Sequence, residues 1–213
     1  APHVDYGNVY RFYAQADGKV ICGGHISFVG DQDTIALFRL LPDGSLDPTF
    51  NDQLSVWTSY RPWDHAGPVR DIQPIGPDKL VITGYFDEVD GTARGGIAML
   101  DTAGNLLSGY FEEEGCGGYW DQPNPNFPPD PTQYYKSIAS IKPSLDGNSY
   151  YIWGAYHGYN DGTTNDTLQR MVSRLHGLNV GVEEVEVPAE KPLTIYPNPA
   201  SLYATLAYDF KAA

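Results

Sequence analysis

Apolar residues along this chain fall in short runs, each led in by a turn and closed by glycine. Val20-Ile21-Cys22 runs into Gly23-Gly24, Leu80-Val81-Ile82 into Thr83-Gly84, and Tyr150-Tyr151-Ile152-Trp153 into Gly154. The turns before them are Asp17-Gly18, Pro77-Asp78 and Asp146-Gly147. β-Branched and aromatic residues bounded by such turn formers predict strands, because branched side chains pack well on a pleated surface and Gly, Asp and Pro suit tight reversals. A polar loop follows each run: Gly30-Asp31-Gln32-Asp33, Asp90-Gly91-Thr92 and Asn160-Asp161-Gly162-Thr163. A second apolar stretch comes next (Ile35 to Leu41, Ile97 to Leu100, Met171 to Leu175), and a turn such as Pro42-Asp43-Gly44 closes the unit. No segment carries a convincing amphipathic-helix period. The pattern predicts an all-β chain.

The same grammar recurs at a fixed spacing. Lys19 and Lys79, Gly24 and Gly84, Leu40 and Leu100, and Gly44 and Gly104 are each 60 residues apart. A looser third copy places Asp146 to Gly154 on the strand-and-glycine segment and Arg174-Leu175 on Arg39-Leu40, its offset widened by insertions at 112–135 and 155–168. Each unit holds about four short strands, the size of one antiparallel blade of a β-propeller. The expected fold is therefore all-β, with antiparallel propeller-like blades at about 9–68, 69–135 and 136–177, within a region spanning 1–177. Closed propellers have typically about 4–8 blades. Three blades form an incomplete ring with open edges, so the sequence is expected to be the C-terminal part of a longer protein.

Beyond Gly177 the grammar changes. Residues 178–192 are acidic, Pro-punctuated and non-repetitive, as in Val182-Glu183-Glu184-Val185-Glu186-Val187-Pro188, and read as a linker. Residues 193–213 resume strand character around Leu193-Thr194-Ile195-Tyr196 and Leu202 to Phe210.

Composition narrows the function classes. Thirteen Lys and Arg against 27 Asp and Glu leave a formal charge of −14, which disfavours nucleic-acid partners, whose phosphates call for a basic footprint. Sixteen Tyr, eight Phe and four Trp supply apolar area enough for a core. No apolar run is long enough to span a membrane as a helix. Ala1-Pro2-His3-Val4-Asp5 has no signal-peptide character and reads as a processed or truncated start. Cys22, in an apolar run, and Cys116, in Gly115-Cys116-Gly117-Gly118, read as two unpaired thiols, the first of them buried. No nucleotide-binding or hydrolase motif occurs, and His3, His25, His65, His157 and His176 lack ligand spacing.

Two resemblances follow from these residues. Leu41-Pro42-Asp43-Gly44-Ser45-Leu46-Asp47-Pro48-Thr49-Phe50, with Asp17-Gly18-Lys19-Val20 upstream, resembles the delta-60 repeat family of bacterial β-propeller-like surface proteins, over roughly residues 9–177. That resemblance implies a fold and brings no catalytic residues. Leu193-Thr194-Ile195-Tyr196-Pro197-Asn198-Pro199-Ala200-Ser201 resembles the opening of the type A C-terminal sorting domain of the Bacteroidota type IX secretion system, a small β-sandwich. Only its first strands are present. It implies export across the outer membrane to the cell surface or medium, carried by a β-barrel shuttle. Tyr196, Pro197, Asn198 and Pro199 are then recognition or folding elements. The same resemblance brings an O-glycosylation motif, Asp-Ser/Thr followed by an apolar residue, at Thr34, Thr102 and Thr167.

Candidate chemistry lies in the inter-repeat insertions. Trp57, Tyr60 and Trp63 in one, and Tyr119 and Trp120 in the other, place aromatic rings beside carboxylates, a combination that suits sugar stacking. Tyr60 and Trp120 are again 60 apart, which predicts equivalent blade positions. The plainer reading is that these rings pin the long loops to the blades. Asp64-His65, or Glu112-Glu113-Glu114 with Asp121, could supply the carboxylate pair of a glycosidase, whose required separation no sequence reveals. Asp31-Gln32-Asp33, Asp87 to Gly91 and Asn160-Asp161-Gly162 offer hard oxygens for calcium without EF-hand spacing, so no metal and no cofactor is assigned. The expectation is a non-enzymatic secreted or surface propeller acting in binding, adhesion or scaffolding. The alternatives are a secreted carbohydrate-active enzyme using the aromatic loops, and a cargo held by the outer-membrane shuttle through its sorting segment.

Overall fold

The turn-bounded apolar runs become strands, and no helix forms among the described residues. A computed structural model describes residues 4–29, 34–51, 55–57, 67–112, 119–120, 134–135, 137–156, 159, 171–178, 194–196 and 205–207. The strands in chain order are β1 (Val4–Ala14), β2 (Val20–Phe28), β3 (Ile35–Leu40), β4 (Val56–Trp57), β5 (Val69–Ile75), β6 (Lys79–Gly84), β7 (Glu88–Val89) and β8 (Thr92–Ala93). They continue as β9 (Ile97–Asp101), β10 (Tyr119–Trp120), β11 (Tyr134–Tyr135), β12 (Ser137–Pro143), β13 (Ser149–Ala155), β14 (Val172–His176), β15 (Thr194–Tyr196) and β16 (Thr205–Ala207). Contacts divide the chain into two units, Ala1–Val180 and Gly181–Ala213.

In the first unit, three meanders repeat one design: β1-β2-β3, β5-β6-β9 and β12-β13-β14, every pair antiparallel. A fourth strand per blade was expected. In the first two blades that position carries only an isolated bridge, Leu40 to Leu46 and Leu100 to Leu106. The turns Asp43-Gly44 and Ala103-Gly104 before Leu46 and Leu106 bring the chain back for one pairing, and Pro48, which has no N–H to give, comes two residues later in the first copy.

The repeated glycine has a steric cause. In each blade the first strand bulges opposite it, between Val9 and Arg11, Val69 and Asp71, and Ile138 and Ser140. A Cβ at Gly24, Gly84 or Gly154 would run into the carbonyl oxygen of Asn8, Pro68 or Ser137 respectively. Only a residue without a side chain lets the bulged backbone approach so closely.

Strand alternation gives each blade two apolar faces, and consecutive blades bury them in series. β5 packs on β1 and β2, and β12 packs on β5 and β6. Between the first two blades lie Ile21 and Leu37 on one side and Val69, Ile72, Leu80 and Ile82 on the other. Between the second and third lie Val81, Ile97 and Met99 against Ile138, Ile141 and Ile152. Neighbouring residues of β6 therefore serve opposite cores, with Leu80 and Ile82 facing back and Val81 facing forward. A third cluster, Cys22, Ile26, Phe28 and Phe38, lies on the face of the first blade turned away from the second. Cys22 is a free, buried thiol whose ionisation burial pushes up; Cys116 lies outside the described residues.

Smaller ladders complete the structure. β4, assigned by the spacing to the first repeat, pairs with β7, and β7 with β8. The polar loop expected at Asp90-Gly91 is the tight turn of that hairpin, with φ of 49° at Asp90 and 71° at Gly91, the doubly left-handed geometry of a two-residue reversal. β10 pairs with β11. In the second unit β15 pairs antiparallel with β16, Tyr196 opposite Thr205.

Candidate functional site

The side chains that meet across blades start from one register position. Opposite Gly23, Thr83 and Trp153 of the middle strands stand Arg11, Asp71 and Ser140, each the first residue after its bulge. The stacked blades bring the three equivalents together. Asp71 is almost wholly buried, and one oxygen accepts from Arg11 Nε at 3.0 Å. The other accepts from the Ser140 hydroxyl, from Ile141 N–H at 3.2 Å and from Lys142 Nζ at 2.9 Å. One carboxylate thus joins all three blades.

Burial by itself would raise the Asp71 pKa. The hydrogen bonds from Ser140, Lys142 and Ile141, with the Lys142 charge, outweigh it and leave the carboxyl below its ordinary value. Asp71 is therefore ionised near neutrality and saturated with donors, which suits it to clamping and not to taking a proton. Arg11 and Lys142 remain about half exposed and carry further donors toward solvent. Arg70 lies over the Tyr10 ring at 4.2 Å on the adjoining strands.

A second joint explains the Asp-Pro-Thr-Phe run. Arg39, buried in β3, donates through Nε to Asp47 at 2.9 Å, through Nη2 to the Thr49 hydroxyl at 3.2 Å, and through Nη1 to the Thr102 carbonyl of the next blade at 2.6 Å. Its guanidinium lies 5.0 Å from the centre of the Phe50 ring. Asp47 also takes Thr49 Oγ1 at 2.6 Å and Thr49 N–H at 2.9 Å, with Lys19 Nζ at 3.4 Å. The Thr49 hydroxyl first, then its N–H and Arg39, hold the Asp47 carboxyl far below the usual range against the opposing effect of burial. Asn51 N–H reaches the Ala103 carbonyl at 2.7 Å. The motif that marks the repeat is thus a peg between blades.

Sequence reading singled out neither cluster as a site. For Arg39 the available signal was a charge inside an apolar run, between Phe38 and Leu40; Asp71, beside Arg70 in Val69-Arg70-Asp71-Ile72, offered none.

The expected site residues are placed as follows. Trp57 pairs through its backbone with Glu88, while Tyr60 and Trp63 lie outside the described residues. Tyr119 stands opposite Tyr135 and Trp120 opposite Tyr134, which gathers four aromatic residues into one two-stranded ladder. Thr34 and Thr102 are half-buried, at the entry to β3 and in the turn after β9; Thr167 lies outside the described residues. Tyr196 ends β15, and Pro197, Asn198 and Pro199 lie outside the described residues. Of the carboxylates weighed for glycoside chemistry, Glu112 Oε1 accepts from Gly109 N–H at 2.6 Å, which caps its local turn. The others, Asp64, Glu113, Glu114 and Asp121, lie outside the described residues, as does His65. Among the described residues no group of three His, Cys, Asp or Glu side chains is placed to hold a metal ion, and no helix is long and apolar enough to cross a membrane.

Residues 15–50 match the family described as a domain of unknown function (DUF5122) with a β-propeller fold. The match spans β2, β3 and the turn through Phe50, including both partners of the Arg39–Asp47 pair. The chain is all-β and propeller-like. No curated protein and no solved structure is matched by the sequence.

Proposed function

We propose that this chain is a non-enzymatic binding or scaffolding protein of the cell surface or medium, whose inter-blade aromatic insertions take a glycan. The observation that carries this reading is the β10–β11 ladder, where register sets Tyr119 against Tyr135 and Trp120 against Tyr134. Four aromatic residues within two paired dipeptides offer flat apolar area, and sugars stack on such area while neighbouring polar groups bind their hydroxyls.

Delivery by type IX secretion rests on the resemblance at Tyr196, Pro197, Asn198 and Pro199, and the β15–β16 hairpin fits a strand on each side of that segment. The partner on this route is an outer-membrane shuttle barrel. Thr34, Thr102 and Thr167 are the proposed glycan acceptors.

The test is a glycan panel read for both retention and turnover. Wild type is expected to retain a subset of glycans without releasing reducing ends, and Trp120→Ala with Tyr119→Ala to lose at least tenfold in affinity, on the order of 1.4 kcal/mol. Release of reducing ends by wild type would overturn the non-enzymatic reading, and unchanged retention by the double variant would overturn the site.

A further inference from the structure

Ala93-Arg94-Gly95-Gly96 sets one long cationic side chain among three residues that carry almost none. The stretch leads from β8 into β9 in the second blade, which has a neighbour packed on each face. The backbone is fixed on both sides of the arginine. Arg94 N–H donates to the Asp87 carbonyl at 2.8 Å, and Gly96 N–H donates to the Arg94 carbonyl at 2.9 Å. Gly96 has a φ of 75°, and its carbonyl accepts from Gly84 N–H at 3.0 Å, which ties this turn to the end of β6. Sixty residues earlier Thr34 holds the same position in the first blade, so the repeat itself does not call for a cation there.

Arg94 is 3% exposed, and few of its donors are used. Nη1 donates to the carbonyl of Ala93, its own neighbour, at 2.8 Å, while Nε is buried without an acceptor. Arg94 makes no ion pair with any described residue; Asp90 of the same hairpin turns its Oδ1 to Ser55 N–H at 2.9 Å. Arg39 is the comparison. Buried to a similar degree, that guanidinium has Asp47, the Thr49 hydroxyl and the Thr102 carbonyl. A guanidinium carries five N–H donors and stays charged, so taking one out of water without an anion is costly. A second group stands at the same end of the blade: Thr83, fully buried one residue before Gly84, whose hydroxyl has no hydrogen-bond partner.

We propose that Arg94 anchors a ligand site for an oxyanion: a carboxylate, sulfate or phosphate group. The planar fork of a guanidinium takes two oxygens of such a group side by side, and exclusion of water strengthens the pair. The backbone bonds to Asp87 and Gly96 hold Arg94 in place before the ligand arrives, so little order is lost on binding. The group comes either as a free inorganic ion or as the acid of an acidic sugar. Nothing at the β10–β11 ladder is needed for it.

The experiment is titration calorimetry of the full chain with sodium sulfate, sodium phosphate and sodium glucuronate, each at one ionic strength set with chloride. Wild type is expected to bind at least one of them with saturation. Glucuronate binding tighter than both inorganic ions assigns an acidic sugar, and the reverse order assigns a free ion. Arg94→Lys keeps the charge and loses the fork, and is expected to weaken binding at least tenfold. Arg94→Met removes the unpaired charge at similar length. It is expected to unfold no lower than wild type without ligand and to show none of the rise in unfolding temperature that the ligand gives wild type. Arg70→Lys, on an exposed cation over the Tyr10 ring in the same blade, is expected to bind as wild type does. Absence of binding to all three salts overturns the proposal, as does wild-type affinity in both Arg94 variants. An equal loss in Arg70→Lys shows a general surface charge effect and also overturns it.

Discussion

Asp71 shows how one side chain is used once blades are stacked. Removing its charge as Asp71→Asn breaks a pair with Arg11 and Lys142 that is buried on the carboxylate side only. Losing one partner of a fully buried pair costs about 3–5 kcal/mol, but here both cations are about half exposed and can turn to water, so a loss of roughly 2 kcal/mol is expected in urea unfolding. The acid limb carries a second signature. Asp71 and Asp47 both titrate below the ordinary 3.8 in the folded chain, so unfolding takes up protons as pH falls. Their stabilisation is complete above the unfolded value and is lost as pH drops through the folded ones. Asp71→Asn should therefore flatten the fall of stability below about pH 4, and an unchanged acid slope would count against an ionised Asp71.

At the scale of elements, the strand beginning is set by a bulge and the strand end by a glycine that tolerates it. Gly84→Ala would place a methyl against the Pro68 carbonyl and the Phe86 ring, inside the first two blades' shared core. A cost of about 3 kcal/mol is expected, with the bulge opposite Gly84 forced open. Gly76→Asn is the matched control: its φ is 72° with open space around it, so Asn is expected to change stability by only a few tenths of a kcal/mol. Equal losses in the two variants, measured by thermal unfolding, would remove the steric account of the repeated glycine. That glycine was legible because it recurs at a constant spacing. The missing fourth strand was not, since Leu46 and Leu106 look like strand residues and only the returning backbone shows that each makes a single bridge.

The first unit as a whole is a series, in which each blade shares a core only with its neighbours. A cavity in one core should be felt locally. Ile152→Ala, in the core between the second and third blades, is expected to cost about 2–5 kcal/mol and to raise amide exchange in β12, β13 and β14 well before β2 and β3. Uniform acceleration along the unit would instead indicate a single cooperative core.

The sequence by itself determined what is local or repeated: strands and turns, the all-β class, the 60-residue period, the change of grammar after Gly177 and the burial of Cys22. Alternation, turn chemistry and spacing are properties of neighbouring residues, so one chain suffices to read them. Tertiary structure decided what depends on stacking. β4 left its own repeat for β7, and Arg11, Asp71 and Ser140, far apart in sequence, converged because equivalent bulges lie one above another. The identical alternation buried Val81 and left Tyr151 exposed, because among the described residues a blade packs over the first and none over the second.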